Sequence, residues 1–272
     1  MSLPDHLPPL REVIAAHDLR AQKSLGQNFL LDLNLTDKIA RSAGDLSQQT
    51  VFEIGPGPGG LTRSLLKSGA KKVIAIEFDE RAVRALQDLK DAVPGRLEII
   101  QADALTTDLL KLADGPRSIV ANLPYNIATP LLVNWLRQIR DDHQAYTSMT
   151  LMFQKEVGER LTASPGTRTY GRLSVLAGWL CDIRRSFDLP PAAFTPPPKV
   201  TSSVIRFIPK SPRAPWPEFA ALEVVTVAAF GQRRKMIRSS LKDYMEKLEA
   251  LQIDTTKRAE NLTVEEFLAL AS

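Results

Sequence analysis

The run Asn122-Leu123-Pro124-Tyr125-Asn126-Ile127 leaves an apolar strand, Ser118 to Ala121, with an amide, a proline and an aromatic ring. That order suits transfer of an electrophilic carbon to the exocyclic amine of adenine, whose lone pair is delocalised into the ring. Two acceptors on the amine hydrogens draw the nitrogen towards tetrahedral geometry. The Asn122 side-chain oxygen and the Leu123 carbonyl are candidates for those acceptors. Pro124 fixes the turn and has no N–H with which to occupy a carbonyl. Tyr125 offers a ring face to a base removed from its stack. Extrusion costs a few kcal/mol and stacking contributes about 1–3 kcal/mol per base, so a second ring helps. Phe194, in Phe194-Thr195-Pro196-Pro197-Pro198-Lys199, is the candidate for it. The bland alternative makes Phe194 a core anchor beneath the proline loop.

Upstream, Val51 to Ile54 leads into Gly55-Pro56-Gly57-Pro58-Gly59-Gly60, and Glu77 follows Gly55 by 22 positions. Gly55, Gly57, Gly60 and Glu77 satisfy the dinucleotide fingerprint, so an NAD enzyme is a rival reading. Pro56 and Pro58, however, remove two N–H groups from a loop that would cradle a pyrophosphate. A nucleoside without phosphates, such as S-adenosyl-L-methionine, needs close backbone approach and fewer anion donors. Glu77 can accept from both ribose hydroxyls. Asp103 can accept from an adenine amino group. A strand-end acid that caps the following helix is the alternative for Glu77.

These residues need a scaffold that brings successive strand ends together. Strand patterns over Val51–Ile54, Lys72–Ile76, Leu97–Ile100, Ser118–Ala121 and Met149–Phe153 alternate with helical patterns over Leu61–Ser68, Glu80–Lys90 and Pro130–Ile139. Repeated β-α-β units predict an α/β, Rossmann-like, mostly parallel sheet with ligands beyond the carboxyl ends of its strands. Thr201 to Ile208 reads as a last strand. Prolines 190, 191, 196, 197 and 198 predict a stiff extended loop, and the chain from 209 has helical spacing. The predicted organisation is an N-terminal extension over 1–20, a methyltransferase domain over 21–208 and a small C-terminal helical domain over 209–272.

At 272 residues and 44% hydrophobic, the chain has ample material for a globular core. No apolar run of about 18 residues and no secretion-signal pattern occurs, which leads us to expect a cytoplasmic protein with no membrane association. The lone Cys181 reads as a small buried residue, and three scattered histidines suggest no metal site. A net charge of +4 permits an anionic partner. Gln232 to Lys242 holds five cations, with Arg234, Arg238 and Lys242 at every fourth position. On one helix such a stripe repels itself unless phosphates lie beside it. A solvated face is the alternative.

Assembled, the chain resembles the ribosomal RNA adenine N6 dimethyltransferases, in particular their small-subunit group. The resemblance runs from about Gln22 to the C-terminus. It rests on Lys23-Ser24-Leu25-Gly26-Gln27-Asn28-Phe29-Leu30, Glu53-Ile54-Gly55-Pro56-Gly57, Asn122 to Ile127, Tyr170-Gly171-Arg172-Leu173-Ser174, Phe194 to Val200 and Gln232-Arg233-Arg234-Lys235. It implies methyl transfer from S-adenosyl-L-methionine to two adjacent adenosines in the 3′-terminal hairpin loop of small-subunit rRNA, within a pre-30S particle. It also implies cofactor contacts at Asn28, Leu30, Gly55, Glu77, Asp103 and Asn122. By composition alone, Gln27 to Leu30 is a polar turn entering a helix. Lys199, Arg233, Arg234, Lys235 and Arg238 are the RNA-contact candidates, and a monomer is expected. Two rivals remain: the large-subunit rRNA methyltransferases that share similar segments, and a non-catalytic RNA-binding assembly factor on the same scaffold.

Overall fold

The computed structural model describes residues 7–22 and 26–272. Lys23 to Leu25 and residues 1–6 of the expected extension therefore lie outside the described residues. The chain divides into two compact units. In chain order the elements are α1 Leu10–Ala16, β1 Phe29–Leu30, α2 Leu33–Ser42, β2 Thr50–Ile54, α3 Gly60–Lys67, β3 Lys72–Glu77, α4 Glu80–Ala85, α5 Gln87–Ala92, β4 Leu97–Gln101, β5 Arg117–Ala121, α6 Tyr125–Asp141 and β6 Ser148–Gln154. Then come α7 Lys155–Leu161, α8 Arg172–Leu180, β7 Cys181–Leu189, β8 Phe194–Thr195, β9 Ser202–Pro209, α9 Phe219–Gly231, α10 Ile237–Ser240, α11 Met245–Ala250 and α12 Val264–Ala271.

The first unit comprises Met1–Asn134, Gln144–Lys155 and Arg185–Ile208. Its sheet belongs to a seven-stranded order β4-β3-β2-β5-β6-β9-β7. Strands β2 to β6 pair in parallel and β9 runs antiparallel to β6. β2, with every residue buried, lies in the middle of the parallel set, where Val51, Phe52 and Ile54 pack on both faces and only Thr50 and Glu53 interrupt the apolar run. Helices cover the sheet through one core that includes Ile39, Leu46, Val51, Leu65, Val73, Leu86, Val120 and Val204. This is the mostly parallel Rossmann-like sheet that the β-α-β pattern predicts. Strand order changes between β2 and β5, and there the carboxyl ends part.

Three local expectations differ from the structure. Gln27 to Leu30 is more than a turn: Phe29 and Leu30 pair antiparallel with Thr195 and Phe194. Asp32 then caps α2 by accepting from Asn34 N–H at 2.8 Å. A pairing partner so distant in sequence leaves no local signal at β1. The proline segment accordingly holds a short strand where an extended loop is predicted. β7 follows α8 without a glycine or proline to mark the change, so the sequence hides it. Cys181 at that junction is buried, and burial pushes its thiol pKa up.

The second unit comprises Trp135–His143, Glu156–Arg184 and Pro209–Ser272. The sequence predicts one boundary at 208/209, but the fold also gathers the segments before β6 and around α8 into this unit. Aromatic packing is the reason. Trp179 of α8 meets Trp216 at 5.0 Å and stacks on Phe219 at 6.1 Å, while Phe230 lies 5.5 Å from Phe267 and 6.1 Å from Tyr170. Arg140 adds bonds to the Pro217 carbonyl at 3.1 Å and to Glu218 at 2.6 Å.

The basic stripe also differs from expectation. α9 stops at Gly231, the chain turns with Lys235 N–H donating to the Gln232 carbonyl, and Met236 bridges Arg258 in extended form. That bridge breaks the helix, so Arg234, Arg238 and Lys242 do not share one helical face.

The last helix, α12, is held by a capping box in which Thr263 and Glu266 exchange side chain to backbone bonds at 3.2 and 2.7 Å. Thr263→Ala should lower unfolding free energy by about 1 kcal/mol, read as a fall in urea midpoint at unchanged slope.

Candidate active site

Four strand ends of the parallel set, those of β2, β3, β4 and β5, present different groups to one cavity of about 220 Å³. Gly55 to Pro58 follow β2, Glu77 and Phe78 end β3, Ala102 to Leu105 follow β4, and Asn122 to Ile127 follow β5; Gly26 to Leu30 form the remaining wall. Gly55, Gly57 and Gly59 all adopt positive φ, at 67°, 54° and 87°. Only glycine does this without strain. A Cβ on Gly57 would stand 2.8 Å from the Phe29 ring, so the loop also needs glycine for space.

Glu77 carries the loop. Its Oε2 accepts from Gly57 N–H at 3.1 Å and its Oε1 from Asp79 N–H at 2.8 Å. Burial raises its pKa, and these backbone donors oppose the rise. Each oxygen keeps a further lone pair for a ligand hydroxyl. Asp103 is exposed at the cavity mouth; its Oδ1 accepts from Leu105 N–H at 2.9 Å, which shapes the turn and leaves Oδ2 for other donors.

At the β5 end, Asn122 Nδ2 donates to the Asn28 carbonyl at 3.1 Å. A carbonyl can only accept, so the amide nitrogen faces Asn28 and Oδ1 faces away. In the first turn of α6 the N–H groups of Ile127 and Ala128 both donate to the Pro124 carbonyl at 3.1 Å. Pro124 itself has none to give. Leu123 is thereby buried as a side chain while its carbonyl accepts no bond from the described residues. Two unclaimed acceptors thus sit on consecutive residues. Tyr125 is half-buried, and its hydroxyl bonds Ser202 of β9, which fixes the ring. Burial raises the Tyr125 pKa, so the phenol stays neutral across physiological pH.

Phe194 does not join them. It is 3% exposed and packs with Leu30, Val120, Met152 and Val204. Pairing of Leu30 with Phe194 turns the ring into the core, so the anchor reading replaces the stacking one. The aromatic that does stand at the cavity edge is Phe78, 64% exposed. Lys199 is exposed on the proline loop of the first unit. In the second unit Arg234, Lys235 and Arg238 are exposed, whereas Arg233 donates to the Arg168 carbonyl and lies 3.6 Å from Glu260. Among the described residues no cluster of His, Cys, Asp or Glu could hold a metal, and no helix is long and apolar enough to cross a membrane.

Sequence reasoning misses Glu53, Phe29 and Ser202. Glu53 is 1% exposed in the middle of β2 and lines the cavity. Burial pushes its pKa up to about 8, Thr62 pulls part of the way back and Glu77 adds to the rise. No hydrogen bond of ordinary geometry reaches Glu53 Oε2 or Thr62 Oγ1. An acid inside an otherwise apolar strand is the available signal, since glutamate is almost never fully buried unless paired. An orphaned carboxyl here suits a cationic ligand group.

A mostly parallel sheet of this topology, with a glycine loop, an acid and an asparagine at successive strand ends, is the fold of a Rossmann-like methyltransferase. Residues 18–272 match the family described as "Ribosomal RNA adenine dimethylase". The chain belongs to that family. It is 58% identical to a ribosomal RNA small subunit methyltransferase A of Allorhizobium ampelinum over 100% of this chain and 99% of that one. Its identity to the protein of the same name from Rhodospirillum rubrum is 57%, over 98% and 92%. Among solved structures, a dimethyladenosine transferase from Plasmodium falciparum superposes with TM-score 0.73 at 27% identity, over 88% and 94%. A 23S rRNA methyltransferase, ErmE, superposes at 0.69 with 24% identity over 90% and 98%, a likeness of fold.

Glu53 sets a pH dependence. Unfolded, it titrates near its ordinary 4.5; folded, near 8. The folded protein therefore holds the extra proton between those values, and stability falls as pH rises through that window. Glu53→Gln, neutral throughout, should match the parent near pH 4 and gain thermal stability over it progressively to pH 8. A difference in melting temperature that does not vary with pH would contradict this.

Proposed function

We propose that this enzyme dimethylates N6 of two adjacent adenosines in the 3′-terminal hairpin loop of small-subunit rRNA, with S-adenosyl-L-methionine as donor. The pair of unclaimed acceptors, Asn122 Oδ1 and the Leu123 carbonyl, carries the reading. An exocyclic amine has two hydrogens to donate, and two adjacent acceptors match it. An arrangement for NAD would need loop donors that Pro56 and Pro58 lack.

The cavity fits the donor on its own terms. Gly55 and Gly57 allow close backbone approach, Glu77 has lone pairs for ribose hydroxyls, Asp103 Oδ2 is available to a base amine, and Glu53 offers an orphaned carboxyl to an ammonium group. Asn28, through its carbonyl bond to Asn122, and Leu30, through β1, complete the wall. When bound, the donor supplies a methyl group activated by a sulfonium. The chain's part is to hold the amine. Asn122 and Leu123 orient its lone pair, Pro124 keeps the Leu123 carbonyl unoccupied, and the fixed Tyr125 ring presents a face to the base. Orientation and hydrogen bonds that strengthen in the transition state then account for catalysis, and no strong general base is needed.

The 57–58% identity to small-subunit enzymes favours that subunit over the large one. We further propose that the enzyme acts in the cytoplasm as a monomer on a pre-30S particle, without membrane contact. Lys199 of the first unit and Arg234, Lys235 and Arg238 of the second face rRNA phosphates, and Arg233 braces its own turn. In this reading the division is a catalytic unit, including the N-terminal extension, and a largely helical RNA-contact unit.

Incubating unmethylated small subunits with labelled S-adenosyl-L-methionine should place label on two neighbouring adenosines near the 3′ end; label elsewhere, or none, would end the proposal. Asn122→Ala should lower kcat by at least about a hundredfold while RNA binding persists, given the cost of removing one transition-state hydrogen-bonding group. Exchanging Arg234, Lys235 and Arg238 for Gln should weaken RNA binding and reduce the salt slope by about 0.7 for each phosphate no longer neutralised. An unchanged slope would return this turn to a solvated surface.

A further inference from the structure

We infer that residues 7–21 form a strap that positions the cofactor wall Gln27–Leu30, with Arg81 as its principal positioning residue. The idea rests on the cofactor site proposed above. All the residues concerned lie in the first unit.

The strap is held at two carbonyls by two arginines, each from a helix that flanks the glycine loop. Arg63 of α3 donates to the Pro8 carbonyl at 2.7 Å. Arg81 of α4 donates to the Asp18 carbonyl at 3.0 Å. Along the strap Leu10, Val13 and Leu19 are buried. Val13 and Leu19 share a cluster with Phe29, Ala82 and Ala85, and Phe29 is the ring that backs Gly57. Leu10 reaches the other side of the loop: a Cβ on Gly60 would stand 3.0 Å from its Cδ1. The strap therefore presses on both ends of the loop that a cofactor must approach.

Arg81 joins the strap to the wall through polar contacts. Its Nε and Nη2 fork onto Asp79 at 3.0 and 2.6 Å. Asp79 Oδ2 accepts from Gln27 Nε2 at 3.0 Å, and Asp79 N–H holds Glu77. Gln27 Oε1 in turn accepts from Gln22 N–H at 2.9 Å. One ion pair thus connects the Asp18 carbonyl, the Gln27 side chain and the proposed ribose acid. Arg81 lowers the Asp79 pKa, so the carboxylate stays charged and the connection persists at neutral pH.

The test uses the full chain with Arg81→Met and Arg81→Lys. Without the forked bond, the Michaelis constant for S-adenosyl-L-methionine should rise about tenfold with kcat changed less than about twofold. Lysine keeps the charge beside Asp79 but has no fork, so it should fall between. The dissociation constant of S-adenosylhomocysteine, measured by calorimetry, should move in parallel. In the free protein, hydrogen exchange at Phe29, Leu30 and Gly57 should accelerate in the methionine variant while α12 is unaffected. If that variant loses melting temperature but keeps its affinity and these exchange rates, the strap is only structural and the inference is wrong. Were the parent protein to bind no S-adenosylhomocysteine, the functional reading would fail, and the exchange rates alone would still decide whether the strap holds the wall.

Discussion

The bond from Gly57 N–H to the Glu77 carboxylate, at 3.1 Å, ties the loop after β2 to the end of β3. It is made in a buried place, where an unpaired donor or carboxylate would cost more than the bond itself contributes. The loop can reach Glu77 because Gly57 takes φ of 54°, and it can stay there because Phe29 fills the space a side chain would need. The shape of the cavity between these two strand ends follows from that closure. The same bond opposes the rise in Glu77 pKa that burial causes.

Hydrogen-bond accounting then separates structural from available groups. Most polar atoms in and around the cavity are spoken for: Asn122 Nδ2 by Asn28, the Tyr125 hydroxyl by Ser202, Asp103 Oδ1 by Leu105, and the Pro124 carbonyl by two helix N–H groups. Asn122 Oδ1, the Leu123 carbonyl and Glu53 Oε2 are not. Buried or half-buried acceptors left over after such complete pairing are costly, and a fold keeps them where a ligand offsets the cost. Proline has a specific part in this. By contributing no N–H and opening α6 one residue later, Pro124 keeps its neighbour's carbonyl out of the helix ladder.

The second unit obeys a different logic. Its core holds two aromatic groups, Trp179 with Trp216 and Phe219, and Phe230 with Phe267, and its cations are divided between the turn after α9, with Arg234 and Lys235, and α10, with Arg238. Dividing the cations among separate elements avoids the i,i+4 repulsion that one continuous helix would impose. Arg233 instead engages Glu260 and the Arg168 carbonyl, and so helps set where its neighbours point.

The sequence by itself determined the sheet, the glycine loop and the placing of Glu77, Asp103 and Asn122 at successive strand ends around one cavity. Those features depend on local period and on residues whose backbone or functional group admits few uses, so they are legible along the chain. Only the tertiary structure decided that Phe194 is an anchor and Phe78 the exposed ring, that β1 pairs with β8, that Ser202 fixes Tyr125, and that an N-terminal helix braces the crevice. Each of these depends on which distant segment arrives opposite, and a one-dimensional pattern carries no record of that meeting. Glu53 lies between the two cases: its residue type was visible in β2, but the burial that leaves its Oε2 without a hydrogen-bond partner is a property of the folded interior.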